Sequence, residues 1–143
     1  MPVLLDTGIL LRLPNREDVL HHQVWTAVRG LRSAGERLVT TLQSMSEFWN
    51  VCTRPASSRG GLGLTSTEAH RRLRIIERSI PVLPEPPGLY ARWREVVLTH
   101  RVLGVQVHDA KLAAAMSLHG ITQLLTMNGR DFVRYPNIRL LSP

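Results

Sequence analysis

The chain alternates between short apolar runs and longer stretches in which apolar residues recur every three or four positions. The short runs are typical of buried strands, and the periodic stretches of amphipathic helices that cover a sheet. The strands predicted in this way span residues 3–5, 38–41, 80–83, 122–126 and 138–141. The predicted helices span residues 17–31, 42–54, 65–79, 89–103 and 107–119. Because strands and helices alternate, we expect an α/β fold with a mostly parallel sheet of four or five strands between helical layers.

Proline, glycine and capping residues mark where these elements end. Pro55 ends the helix that starts near residue 42, and Thr65 to Glu68 forms a capping box that opens the next one. Gly104 and Gly120 are predicted stops for the two helices that follow. At 143 residues, the chain is expected to form one domain over residues 1–143.

The composition indicates in which cellular compartment the protein is expected. Its single cysteine, Cys52, lies in an apolar helical stretch and has no second cysteine with which to form an internal disulfide. No signal peptide is evident, and no apolar run approaches the roughly 20 residues of a membrane span. We therefore expect a cytoplasmic protein without a membrane partner.

The charge balance favours a polyanionic partner. There are 18 Lys and Arg against 11 Asp and Glu, a formal net charge of +7, and Lys111 is the only lysine. Arginine binds phosphate in a bidentate fork and stacks on bases, so nucleic acid is the first candidate. A solvated basic surface without such a role remains the alternative.

Three carboxylates lie at a predicted strand-to-helix connection or in the early turns of a predicted helix: Asp6, Glu47 and Asp109. In a parallel sheet these connections all lie at the carboxyl edge, where open α/β folds bind ligands. Each acid alone has a structural explanation, as a turn, an exposed first-turn acid or a helix cap. Together, three carboxylates about 5 Å apart would repel by roughly 3 kcal/mol per pair at an effective dielectric near 20. We therefore expect a bound cation.

The nature of the donors indicates which cation. Carboxylate oxygens suit Mg²⁺ or Mn²⁺, which keep several waters, better than zinc. The histidines do not form a metal-binding set; His108 precedes Asp109 directly, but consecutive helical residues point about 100° apart, so packing or support of a ligand is the better interpretation. Thr7 and Thr126 offer hydroxyls at strand ends, although such threonines often serve only as caps.

Four segments in order resemble the PIN-domain ribonucleases, in particular the VapC-like toxins of type II toxin–antitoxin systems. These segments are residues 4–7 around Asp6, 43–55 around Glu47, 107–112 around Asp109, and 125–132, which contains Asn128 and Asp131. They span nearly the whole chain. No single motif is specific, but their order and spacing together support the resemblance.

The resemblance implies a PIN-like three-layer sandwich and an Mg²⁺- or Mn²⁺-dependent endoribonuclease, in which Asp6, Glu47 and Asp109 are the catalytic and metal-binding acids. Asn128 stands where many relatives carry a fourth aspartate, and Asp131 follows three residues later. Gly8 also departs from the family, since many relatives have Asn or Ser there. Further implications are an RNA substrate, a homodimer and a small antitoxin partner.

Three other functions fit parts of the pattern. Because Asn128 carries no charge, the chain could be a weakly active or inactive RNA-binding PIN-like module. A phosphotransfer receiver would require a lysine at the end of a late strand, whereas Lys111 lies inside a predicted helix. A small-molecule phosphatase fits the acids, but the spread of arginines favours an extended polyanion.

Overall fold

The computed structural model describes residues 1–143 and contains five β-strands and six α-helices. The strands are β1 (Pro2–Leu5), β2 (Arg37–Thr41), β3 (Val82–Leu83), β4 (Gln123–Leu125) and β5 (Arg139–Leu141). The helices are α1 (Thr7–Arg12), α2 (His21–Ser33), α3 (Leu42–Thr53), α4 (Ser66–Glu77), α5 (Leu89–Thr99) and α6 (Val107–His119). Short 3-10 helices span Gly104–Gln106 and Gly129–Phe132.

The strands form one parallel sheet in the order β3-β2-β1-β4-β5. The first strand of the chain is therefore central, and Leu4 pairs with Val39 on one side and Leu124 on the other. All carboxyl ends lie at one edge of the sheet, so the residues that follow β1 and β4 are neighbours there. The predicted fold class is confirmed, with five strands, all parallel.

Successive side chains of the central strands point to opposite faces of the sheet and contribute to two separate hydrophobic cores. The molecule therefore has three layers: helices, sheet and helices. Val3 and Leu5 pack with α1 to α4 on one face, in a cluster that includes Phe48 and Ile76. Leu4 packs on the other face against α5 and α6. Strands buried on both faces read as continuous apolar runs, which is why the pattern at residues 3–5 was informative.

Two predicted helix boundaries were wrong. Helix α2 begins at His21 because Asp18 is used in the preceding turn, where its carboxylate accepts the Leu20 amide at 2.8 Å and pairs with Arg12. Helix α5 ends at Thr99, not at residue 103. Arg101 is left-handed there (φ 50°), and the Val102 amide bonds back to the Val97 carbonyl, as in a Schellman ending without glycine.

Helix α1 was not predicted as a helix, because its six residues are too few to show a period. It nevertheless holds the chain directly after Asp6 in place. No helix of the structure combines the length and apolar character that a membrane crossing requires.

Candidate metal and catalytic site

Asp6 lies at the carboxyl end of the central strand and caps helix α1. Its Oδ1 accepts the Thr7 backbone N–H at 2.8 Å, and its Oδ2 accepts the Thr126 hydroxyl at 2.8 Å. Burial raises the pKa of Asp6; these two hydrogen bonds oppose the shift, and the Glu47 and Asp131 carboxylates add to it. The carboxylate is thus fixed in orientation on both sides while being held in surroundings that disfavour its charge.

Glu47 lies in the second turn of α3, the helix that follows β2. Because β2 pairs with β1, this helix begins next to the carboxyl end of β1, where Asp6 lies. Thr41 ends β2 and caps α3 by accepting the Ser44 N–H, which fixes the helix start. The Thr7 hydroxyl donates to Glu47 Oε2 at 2.9 Å. Since the Thr7 amide also bonds Asp6, one threonine joins the two carboxylates that are 41 positions apart.

Asp109 lies in the first turn of α6, where the helix macrodipole favours an anion. Its pKa is nevertheless raised to about 6, first by burial and then by the carboxylates of Asp6, Asp131 and Glu47, with His108 opposing the shift. Three other acids therefore lie close enough to repel the Asp109 charge. That Asp6, Glu47 and Asp109 form one metal-binding set stays a prediction, which this coupling supports.

The residues after β4 take part in the site to different degrees. The Thr126 hydroxyl, which donates to Asp6, also accepts the Asn128 backbone N–H at 3.0 Å. The Asn128 side chain is exposed and makes no capping bond to the 3-10 helix that follows it. Asp131 is exposed as well, yet its charge acts on both Asp6 and Asp109. Asp131 is thus electrostatically part of the cluster, and Asn128 joins it through its backbone.

Gln43 is a member of the site that the sequence reasoning missed. Its side-chain amide donates to Glu47 Oε1 at 3.3 Å and to the His108 backbone carbonyl at 2.8 Å. It therefore ties α3 to the first turn of α6. The i, i+4 spacing of Gln43 and Glu47 was a visible signal for the first bond, but the second depends on how the two helices dock.

The oxygen donors of the site can be compared with those that a divalent cation requires. No three His, Cys, Asp or Glu side chains lie together as a ready-made metal-binding group. Asp6 and Glu47 each use one lone pair per oxygen for the bonds described above, which leaves further lone pairs on every oxygen. Such separated, hard oxygen donors fit a cation that keeps much of its water, as Mg²⁺ does. They do not form a tight cage around a bare ion.

Known proteins resemble this chain in family and in fold. The PIN domain family model matches residues 3–138. Comparison with curated protein sequences found no significant match.

Solved structures share the fold at low sequence identity. VapBC2 from Rickettsia felis, solved with a DNA fragment from its promoter, gives a TM-score of 0.75 at 15% identity, covering 100% of this chain and 99% of that chain. A toxin–antitoxin complex from Klebsiella pneumoniae gives 0.65 at 18%, covering 96% and 95%. VapC20 from Mycobacterium tuberculosis, described as a toxin that cleaves the sarcin–ricin loop, gives 0.57 at 18%, covering 85% and 86%.

Proposed function

The chain belongs to the PIN-domain family, and from that premise we propose that it is a metal-dependent endoribonuclease, the toxin of a type II toxin–antitoxin pair. One observation carries the proposal. A continuous set of hydrogen bonds joins Glu47, Thr7, Asp6 and Thr126 at the carboxyl edge of the sheet. Burial first, and then the carboxylates of Asp6, Asp131 and Glu47, raise the pKa of Asp109, which supports a site shared by the three acids.

In the proposed site, Asp6, Glu47 and Asp109 hold Mg²⁺ or Mn²⁺, and Asp131 adds negative charge. The cation supplies a water of lowered pKa and stabilises charge on the phosphate. Thr126 and Thr7 keep the Asp6 and Glu47 carboxylates oriented, so less reorganisation is needed when an ion binds. Asn128 contributes an amide where many relatives have a charge, which lowers the charge available to a second ion.

The basic residues supply the attraction for RNA. Arg12 bonds the Gly8 carbonyl and pairs with Asp18, and Arg54 bonds the Arg59 carbonyl, so both guanidinium groups are engaged within the protein. Arg130 is exposed in the same 3-10 helix as Asp131. Because it shares that short helix with Asp131, Arg130 is the arginine that we expect to meet a phosphate.

Cleavage of a structured RNA with and without EDTA tests the proposal. The wild-type protein should cleave only when Mg²⁺ or Mn²⁺ is present, and Asp6→Asn or Asp109→Asn should lower the rate at least 100-fold. Glu77→Gln is the matched control, because it removes an acid that pairs with Arg74 on the surface of α4, away from the site. Full activity in both site variants would contradict the proposal.

A second candidate keeps RNA binding and lacks cleavage. It is favoured by the neutral Asn128 and by the absence of a ready-made three-ligand group. Calorimetric titration with Mn²⁺, combined with an RNA cleavage assay, distinguishes the enzyme from the binding module. Binding of Mn²⁺ and of RNA without turnover on any RNA would favour the second.

The proposed assembly rests on the structural neighbours. Three of them are described as VapBC, from Rickettsia felis, Haemophilus influenzae and Salmonella typhimurium, and that supports a small antitoxin partner for this chain. Co-expression with any short open reading frame beside its gene, followed by co-purification, tests that partner. Analytical ultracentrifugation tests the proposed homodimer.

A further inference from the structure

An open cavity of about 260 Å³ lies between the segment after β3 and helices α5 and α6. Five residues line it: Glu85, Leu89, Tyr90, Trp93 and Lys111. The cavity combines an aromatic wall with a charged wall, and nothing in the proposed catalytic arrangement uses either wall.

The aromatic wall is formed by Tyr90 and Trp93, one turn apart on α5. Their ring centroids are 6.2 Å apart with the planes tilted by 32°. The Trp93 indole N–H donates to the Val107 carbonyl at 3.0 Å, which fixes that ring. Tyr90 is 68% exposed, although an aromatic ring is costly to leave in water. The Arg94 guanidinium lies 5.5 Å from the Tyr90 ring centroid. Trp93 is partly buried against the core, so Tyr90 is the exposed ring of the pair. An exposed ring that extends a fixed one, beside an arginine, suits a stacking nucleic-acid base.

The charged wall is an ion pair, Lys111 Nζ to Glu85 Oε1 at 2.8 Å. The side chains are 37% and 49% exposed, so both groups remain open to a ligand. Together they present a carboxylate acceptor next to an ammonium donor. Among the four RNA bases, guanine alone offers two adjacent N–H donors and a neighbouring carbonyl acceptor on its Watson–Crick edge. The carboxylate of Glu85 matches the two donors, and the ammonium of Lys111 matches O6.

The cavity is connected to the acidic cluster through two residues. Val107, which holds Trp93, opens α6 two residues before Asp109. Gln43, which bonds Glu47, lines a smaller adjoining pocket that shares Glu85, Leu89 and Lys111 with the cavity. The cavity, with its adjoining pocket, and the acids therefore share helices α3 and α6, which favours one RNA strand that contacts both.

We propose that this cavity is a guanine-binding subsite for single-stranded RNA, in which Tyr90 and Trp93 stack the base and Glu85 and Lys111 read its edge. The proposal rests on the ribonuclease function proposed above, which it deepens by naming the base that the site prefers. Each of these residues is a binding residue in this scheme and has no part in the cleavage step.

Calorimetry with GMP, AMP, CMP and UMP in EDTA tests the subsite without relying on activity. GMP should bind at least about five-fold more tightly than the others, in line with one good bidentate contact. Glu85→Gln should remove this preference, and Tyr90→Ala should weaken every nucleotide while Tyr90→Phe binds as wild type. Glu95→Gln is the matched control, because its carboxylate pairs with Arg92 elsewhere on α5.

Equal binding of all four nucleotides, or binding unchanged in Glu85→Gln and Tyr90→Ala, would overturn the subsite. Sedimentation is run on the same variants: if Tyr90→Ala halves the mass of the wild-type particle and leaves nucleotide binding unchanged, the surface joins two copies of the chain and the subsite is rejected. RNA cleavage without guanine preference would refute the subsite alone. Guanine-selective binding by a protein that cleaves no RNA would refute only the ribonuclease function.

Discussion

The Thr7 hydroxyl donates to the Glu47 carboxylate across 2.9 Å, and this bond links the first turn of α1 to the second turn of α3. The same residue gives its backbone N–H to Asp6. Thr7 therefore sets the relative position of two acids carried by different elements. Its effect should be seen in cation binding more than in folding.

Replacing Thr7 with valine removes the hydroxyl and keeps the shape of the side chain. We expect Thr7→Val to weaken Mn²⁺ binding about five- to ten-fold, because Glu47 is no longer held toward Asp6, while the free energy of unfolding falls by only about 1 kcal/mol. Thr7→Ser keeps the donor and should bind Mn²⁺ as wild type does. Isothermal titration calorimetry measures the affinities. Equal affinity of the valine and serine variants would show that the bond does not position Glu47.

Thr126 is expected to matter more for stability. It is almost fully buried, and its single hydroxyl serves both Asp6 and the Asn128 amide. Thr126→Val should lower the free energy of unfolding by about 2 kcal/mol, because a carboxylate oxygen and a backbone N–H lose their partner together. Urea denaturation monitored by circular dichroism measures the loss.

Thr53→Val is the control for the Thr126 variant. The Thr53 hydroxyl bonds only the Trp49 carbonyl within its own helix, so its removal should cost well under 1 kcal/mol. If the two variants are equally stable, the Thr126 bonds contribute no more than a local helix bond.

The part of the site that the sequence predicted is the part fixed by strand ends and helix starts. Asp6 directly follows an apolar run, and Asp109 lies in the first turn of an alanine-rich helix, so their positions at the sheet edge follow from topology alone. The capping box at Thr65 was equally visible, because both of its partners lie within four residues. In each case a local pattern determines the local geometry.

Contacts that depend on how helices dock could not be predicted. The bond from Gln43 to the His108 carbonyl and the pairing of Lys111 with Glu85 join segments 65 and 26 positions apart, with no motif to mark them. The end of α5 was missed for a related reason. Arg101 supplies the left-handed residue that ends α5, whereas Gly104, which also has a positive φ, begins the 3-10 helix that follows.

Asp109 makes the stability depend on pH. Its pKa is about 6 in the folded protein against an ordinary 3.8, mainly through burial and also through the neighbouring acids. Between these values the folded state binds more protons than the unfolded state, so the free energy of unfolding decreases as pH rises from about 4 to 6 and remains lower above that range. Above pH 6 the ionised Asp109 therefore destabilises the metal-free protein.

Asp109→Asn should consequently be more stable than wild type at pH 8 in EDTA. The shift corresponds to at most about 3 kcal/mol, and since the group is only half buried, screening reduces this to about 1 kcal/mol. A rise in Tm of about 3 °C is expected at pH 8 and none near pH 4. Differential scanning calorimetry at the two pH values measures it. A variant that melts below wild type at pH 8 would show that the acids do not repel one another in solution.

Gly61 lies where the loop after α3 folds back against its own start at Arg54 and Pro55. A Cβ there would lie 2.3 Å from the Pro55 carbonyl oxygen and 2.5 Å from that of Arg54, both backbone atoms that cannot rotate away. The loop is also tied to α3, since the Leu62 amide bonds the Val51 carbonyl. Gly61→Ala must therefore displace backbone, and we expect it to lower the free energy of unfolding by about 2 to 4 kcal/mol.

Gly30→Ala is the control, because it should raise the free energy of unfolding where Gly61→Ala lowers it. Gly30 lies inside α2, and a Cβ there meets nothing within 4 Å. Alanine is the better helix former, and the variant should gain about 0.5 to 1 kcal/mol. Chemical denaturation of both variants beside wild type measures the two effects with one method. Since the two substitutions are chemically identical, a Gly61 variant as stable as wild type would mean that this loop does not fold back against Arg54 and Pro55 in solution as it does in the structure.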